Sequence, residues 1–145
     1  MISIAVCDDN EITAQEISEK VKQCCPIEAE VSVFYHIKDI LFSIHNENKL
    51  FDIIFMDIEF DVSSGIEASK QINAWHPDCQ IIYITNYTNY FTSVYETSHI
   101  YYILKKDIDT YLSTALKNGH TADSKDKSVL FDYPIKAAAY SYCTK

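Results

Sequence analysis

The sequence predicts an α/β domain built on a doubly wound sheet of five parallel strands, in the order 2-1-3-4-5, with helices on both faces. Two observations predict it. Short apolar runs alternate along the chain with segments of helical period, and most of those runs stop at a polar group. Asp8 and Asp9 follow the run from Ile2 to Cys7, and Asp57 follows Ile53 to Met56. Thr85 follows Ile81 to Ile84, and Lys105 follows Ile100 to Leu104. Parallel strands would bring all these groups to one edge of the sheet, where open α/β folds bind ligands.

The elements can be taken in order. After the first strand, Asn10 is placed to cap a helix whose Ala14, Ile17, Val21 and Cys24 recur at helical spacing, with Pro26 to stop it. Val31 to Tyr35 reads as the second strand, and Asp39 to about Glu47 as a short helix with Ile40, Leu41 and Ile44 on one side. Phe51 to Asp57 is the third strand, apolar at consecutive positions because both its faces are covered. Ser64 and Glu67 have capping-box spacing ahead of a helix that turns Ala68, Ile72 and Trp75 inward and ends at Pro77. Cys79 to Thr85 is the fourth strand. Tyr87, Tyr90, Phe91, Val94 and Tyr95 then fit an amphipathic, strongly aromatic helix. Ile100 to Leu104 is the fifth strand. A last helix carries Ile108, Tyr111, Leu112, Ala115 and Leu116, with Gly119 in the helix-stopping position. Residues 1–120 therefore read as one domain. Residues 121–145 read as a polar linker and a short tail, too short for a second domain.

Composition narrows the function. At 145 residues and 48% hydrophobic content, the chain can bury a core of ordinary size. A net charge of −9 argues against nucleic-acid binding by this domain alone, since phosphate neutralisation needs Lys and Arg. No apolar stretch reaches the roughly 20 residues that span a bilayer. The first apolar run lacks the basic lead-in of a signal peptide. The five cysteines have no C-x-x-C spacing, which disfavours both a disulfide framework and a zinc site, and a cytoplasmic location is expected.

The chemistry gathers at the strand ends. With strands one and three adjacent at roughly 4.8 Å, Asp8, Asp9 and Asp57 crowd into a small volume. Two like charges at about 4 Å repel by about 4 kcal/mol even at an effective dielectric near 20, so the cluster must hold protons or a cation. Oxygen-only ligands favour Mg²⁺. Asp57 can serve as a nucleophile toward a phosphoryl group, Lys105 can reach inward to a phosphoryl oxygen, and Thr85 can donate its hydroxyl to another. Gly65 is one of only two glycines in the chain, and it stands where the loop after Asp57 must turn into a helix.

The set Asp8-Asp9, Asp57, Gly65, Thr85, Tyr102 and Lys105 resembles the receiver domain of two-component response regulators, over about residues 1–118. The resemblance implies a flavodoxin-like (βα)5 fold. It also implies that Asp57 accepts a phosphoryl group from a sensor histidine kinase. Mg²⁺ would be held by Asp8, Asp9, Asp57 and the backbone carbonyl of Glu59, and Thr85 and Tyr102 would form a switch pair. The sequence departs from the family pattern in four places. Lys106 stands where a proline usually follows the lysine, Asp61 where a loop proline is common, Ser64 where an acid or amide precedes the glycine, and Asn86 where a small residue follows the threonine. None of these removes a group that the phosphoryl chemistry needs.

Tyr83, Tyr87, Tyr90, Tyr95, Tyr101 and Tyr102 are more aromatic surface than one small helix can hide, so a homodimer or partner interface through the 87–112 face is expected. Segment 86–104 and the stretch Ser128 to Tyr133 look similar to receivers that precede a LytTR-type DNA-binding domain, and DNA would be reached only through such an output domain. Two other functions compete. A Mg²⁺-dependent phosphatase of the haloacid dehalogenase type also uses a strand-end aspartate, but Asp57-Ile58-Glu59-Phe60-Asp61 does not match its D-x-D-x-T motif. A stand-alone receiver, or a pseudo-receiver that only binds a protein partner, is the non-enzymatic alternative.

Overall fold

The computed structural model describes residues 1–25, 27–58, 65–86 and 101–121, with Tyr101, Tyr102 and residues 117–121 as backbone only. The order is β1 (Ile2–Cys7), α1 (Glu11–Cys24), β2 (Ala29–Phe34), α2 (Ile37–His45), β3 (Ile53–Asp57), α3 (Gly65–Trp75), β4 (Gln80–Thr85) and β5 (Tyr101–Leu104). A single 3-10 turn (Lys105–Asp107) then leads into a final helix, here α4 (Ile108–Thr121). All strand pairs are parallel, in the order β2-β1-β3-β4-β5. The helix expected over Tyr87 to Tyr95 lies outside the described residues.

Alternation along the strands explains why the runs are apolar at every position. Ile4 and Val6 of β1 face one side of the sheet, with Ile53 and Phe55 of β3, and pack against Ile17 and Val21 of α1 and Leu112, Ala115 and Leu116 of α4. Ala5 and Cys7 face the other side, with Ile54, Met56, Ile81 and Tyr83, and meet Ile40 and Ile44 of α2 and Ile66 and Ile72 of α3. Burial on both faces removes any need for a polar face on the central strands. Cys7 and Cys79 are buried here as small hydrophobes, and burial pushes the Cys7 thiol well above its usual range.

Local signals place the element ends. Asn10 is the N-cap of α1, its Oδ1 accepting from the Thr13 amide at 3.0 Å. The α2 helix begins at Ile37, two residues before the expected start, behind an N-cap residue, His36, that makes no side-chain capping bond. Asn48 in the left-handed region (φ 56°) follows its end. The bounds of β2, β3, β4 and β5 differ from expectation by one or two residues, the usual latitude at element ends. One expectation is corrected. Gly119 does not stop the last helix, which continues to Thr121, and no described glycine adopts a positive φ. A glycine inside a helix costs about 1 kcal/mol relative to alanine, which the packed face of Leu112, Ala115 and Leu116 can offset. Lys105 lies just past β5, as the first residue of the 3-10 turn.

Candidate functional site

Parallel β1 and β3 pair through Cys7 and Met56, so the residues that follow them leave the sheet side by side. Asp8 continues β1 by one residue, its amide donating to the Phe34 carbonyl at 3.1 Å. Its side chain is almost fully buried. Asp57 closes β3 and is also buried, whereas Asp9 is exposed. One carboxylate oxygen from each of the three lies within 4.8 Å of the others.

Lys105 enters this cluster from across the sheet. Its ammonium donates to Asp8 Oδ2 at 2.8 Å and to Asp57 Oδ2 at 3.2 Å. The side chain is only 17% exposed. Burial by itself would lower the lysine pKa. The hydrogen bond to Asp8 and the charges of Asp57 and Asp8 outweigh that and hold it above the ordinary value. The other Asp8 oxygen, Oδ1, accepts from the backbone amide of Asn10 at 2.9 Å. The turn that starts α1 therefore orients Asp8 while the lysine neutralises it.

Thr85, fully buried, ends β4 one residue beyond Ile84, the register partner of Asp57. Tyr102 of β5 pairs with Tyr83 of β4, and the Tyr102 side chain lies outside the described residues. Glu59, Asp61 and Ser64 lie there entirely, as do Tyr87 and the rest of the aromatic segment up to residue 100. The structure thus brings together Asp8, Asp9, Asp57 and Lys105, and sets Thr85 at the end of the neighbouring strand. Among the described residues there is no cis peptide bond, and Lys105–Lys106 is trans.

Three features escaped sequence reasoning. Lys105 makes its shorter bond to Asp8, not to Asp57. Gly65 is needed for contact rather than for a turn. Its φ is not positive, but a Cβ there would overlap the Asp57 carbonyl oxygen and stand 3.0 Å from both the carbonyl carbon and Met56 Cγ. The Gly65 amide in turn donates to the Ile58 carbonyl at 2.8 Å. Third, the buried hydroxyl of Ser69 donates to the Gly65 carbonyl at 2.8 Å. The glycine's rarity was a usable signal, but nothing local marked the other two.

The donor set fits a hard divalent cation. It is all oxygen, two of its three carboxylates are buried, and their oxygens are close enough to share one ion. Without such an ion, Lys105 is the cation that balances Asp8 and Asp57. The Lys105→Met protein is therefore expected to lose about 2 kcal/mol of stability in EDTA, less than the roughly 3–5 kcal/mol of a fully buried broken pair. Mg²⁺ should restore much of that loss, because an ion bound only by the native state stabilises it. Urea unfolding with and without Mg²⁺ measures both; a loss of equal size in the two conditions would contradict this account.

Comparison with known proteins bears on the family and the fold. The family model of the response regulator receiver domain matches residues 4–117. No curated protein matches the chain. Among solved structures, the response regulator DrrB of Thermotoga maritima, an OmpR/PhoB homologue, is 24% identical with a TM-score of 0.72. The match covers 86% of this chain and 55% of DrrB, so the chain spans about half the length of that relative. TrrA of Thermotoga maritima, solved in complex with Mg²⁺ and BeF, is 22% identical with a TM-score of 0.68, over 81% of this chain and 98% of that one. A LuxR-family response regulator from Aurantimonas sp. SI85-9A1 is 16% identical with a TM-score of 0.74, over 99% and 98%. With the family model matched over most of its length, the chain belongs to the response regulator receiver domains of two-component signalling.

Proposed function

We propose that this domain is a phosphorylation switch in which Asp57 accepts a phosphoryl group from a sensor histidine kinase. The observation that carries the reading is the Lys105 ammonium, bonded to Asp8 and Asp57 inside a cluster of three carboxylates. A carboxylate oxygen of Asp57 attacks phosphorus, the P–N bond to the donor imidazole breaks, and its electron pair returns to the ring nitrogen. Lys105 leaves its ion pairs to neutralise a phosphoryl oxygen, and Thr85 donates its hydroxyl to another. Asp8, Asp9, Asp57 and the Glu59 carbonyl would hold Mg²⁺, which supplies further charge neutralisation on the transferring group. That TrrA is solved with Mg²⁺ and BeF supports the choice of ion.

Thr85 and Tyr102 are read as the pair that couples the phosphoryl group to the outer face of β4 and β5. Through that face, and through the residues after α4, the switch would act on a second copy or on an output domain that controls transcription. The match covers only 55% of DrrB, which supports a further domain of some kind. The site of action is read as the cytoplasm; no described helix is long and apolar enough to cross a membrane.

Intact mass after incubation with acetyl phosphate tests the reading. With Mg²⁺, one phosphoryl group per chain is expected, and in EDTA none. Continuous release of phosphate from a simple monoester would favour a phosphatase instead, and no labelling at all would overturn the switch.

A further inference from the structure

We propose that Ser69 is a positioning residue for the Asp57 site, acting through Gly65 on the turn that leaves β3. The inference rests on the reading of Asp57, Asp8 and Asp9 as the Mg²⁺-dependent phosphoryl site.

The chain of contacts is short. Gly65 opens α3 with its Cα against the carbonyl of Asp57, closer than any side chain would allow, and its amide holds the Ile58 carbonyl at 2.8 Å. That single bond ties the start of α3 to the residue that follows Asp57. Ser69 grips the same glycine from the other side, its Oγ donating to the Gly65 carbonyl at 2.8 Å. In a regular helix this carbonyl already accepts the amide four residues on, which is that of Ser69 itself. The hydroxyl therefore adds a second bond to an acceptor that has one.

Stability gives little reason for it. Ser69 is fully buried on the apolar face of α3, beside Ile66, Ala68 and Ile72. Alanine would fill nearly the same space, form helix better and bury no hydroxyl. Hydroxyls that bond back to the preceding turn tend to bend a helix rather than strengthen it. What the hydroxyl does secure is the angle at which the first turn of α3 meets Asp57 and Ile58. A slack first turn would leave Asp57 and Ile58, and with them the carboxylate that Asp57 offers the metal, less well ordered.

The test compares the wild type with Ser69→Ala, and with Ile72→Val as a control that loosens the same face farther along the helix. Mg²⁺ binding by calorimetry and the rate of acetyl phosphate labelling are measured beside thermal unfolding. Ser69→Ala should unfold at the same or a higher temperature, yet bind Mg²⁺ about three- to tenfold more weakly. That is at or below the low end of the roughly 10- to 100-fold effects of residues that touch a metal ligand directly. Its labelling should be slow at low Mg²⁺ and recover at saturation. Ile72→Val should show the reverse, a lower melting temperature with unchanged Mg²⁺ affinity. Equal Mg²⁺ affinity in Ser69→Ala and wild type overturns the role of Ser69 and leaves the switch standing. A wild type that neither binds Mg²⁺ nor takes label overturns both.

Discussion

The Asp57→Asn protein is expected to take no phosphoryl group from acetyl phosphate and to remain folded. The loss should be complete, because a carboxamide oxygen cannot form the acyl phosphate. The neighbouring acids are poor substitutes. Asp8 has one oxygen on the Asn10 amide and the other on Lys105, and Asp9 is exposed, away from the enclosed end of β3. Folding should survive because Asn has the shape of Asp and Lys105 keeps its 2.8 Å bond to Asp8. Removing one of three crowded carboxylates also relieves repulsion, of about 4 kcal/mol for a pair at about 4 Å and an effective dielectric near 20, against which the Lys105–Asp57 attraction is lost. The net change in stability should therefore be small or positive. Intact mass and thermal unfolding of the same preparation give both answers. Residual labelling at one group per chain would move the acceptor to Asp9 or Asp8.

The parts of this site that could be read from the sequence are those with a local signature. Apolar runs of strand length ending in Asp8, Asp57 and Thr85 were visible because a strand buried on both faces has no other place for a polar side chain. Asn10 was visible as a cap, and the cap turned out to present its amide to Asp8. Connection rules then gave a parallel sheet, and the common doubly wound order 2-1-3-4-5, which the structure shows, placed the acids together. Interactions made through space had no such signature. The shorter bond of Lys105 to Asp8 is made across the sheet, and both aspartates look alike in sequence. The start of α2 was misplaced because His36 is not a capping residue and Ile37 is apolar, so tertiary burial, not a cap, sets that end. Gly119 was read as a stop because glycine favours helix ends, yet α4 is held past it. Ser69 carries no local signal in the sequence, and only the packed fold shows that it is buried against Gly65.

Replacing Gly65 by alanine should have the largest effect of any single methyl added to the described fold. The backbone there is ordinary helix, without a positive φ, so no conformational strain opposes the change. The objection is space. The added carbon would overlap the carbonyl oxygen of Asp57 and press on its carbonyl carbon and on Met56 Cγ, each at 3.0 Å. Met56 is fully buried but could shift its flexible side chain; the Asp57 backbone cannot, because β3 pairs with β1 on one side and β4 on the other. Relief must come from moving α3 outward, which breaks the Gly65–Ile58 bond and opens the contacts of Ile66 and Ile72 with the sheet. The expected cost is about 2–4 kcal/mol, reaching beyond the roughly 1–3 kcal/mol usual for overpacking, since the obstacle is backbone. Phosphoryl uptake should fall more than stability alone predicts, because the carbon strikes the residue that carries the nucleophile. Urea unfolding and acetyl phosphate labelling, both at a temperature where the variant is still folded, separate the two effects. A Gly65→Ala protein of wild-type stability and labelling rate would mean that the close approach of α3 to β3 is not maintained in solution.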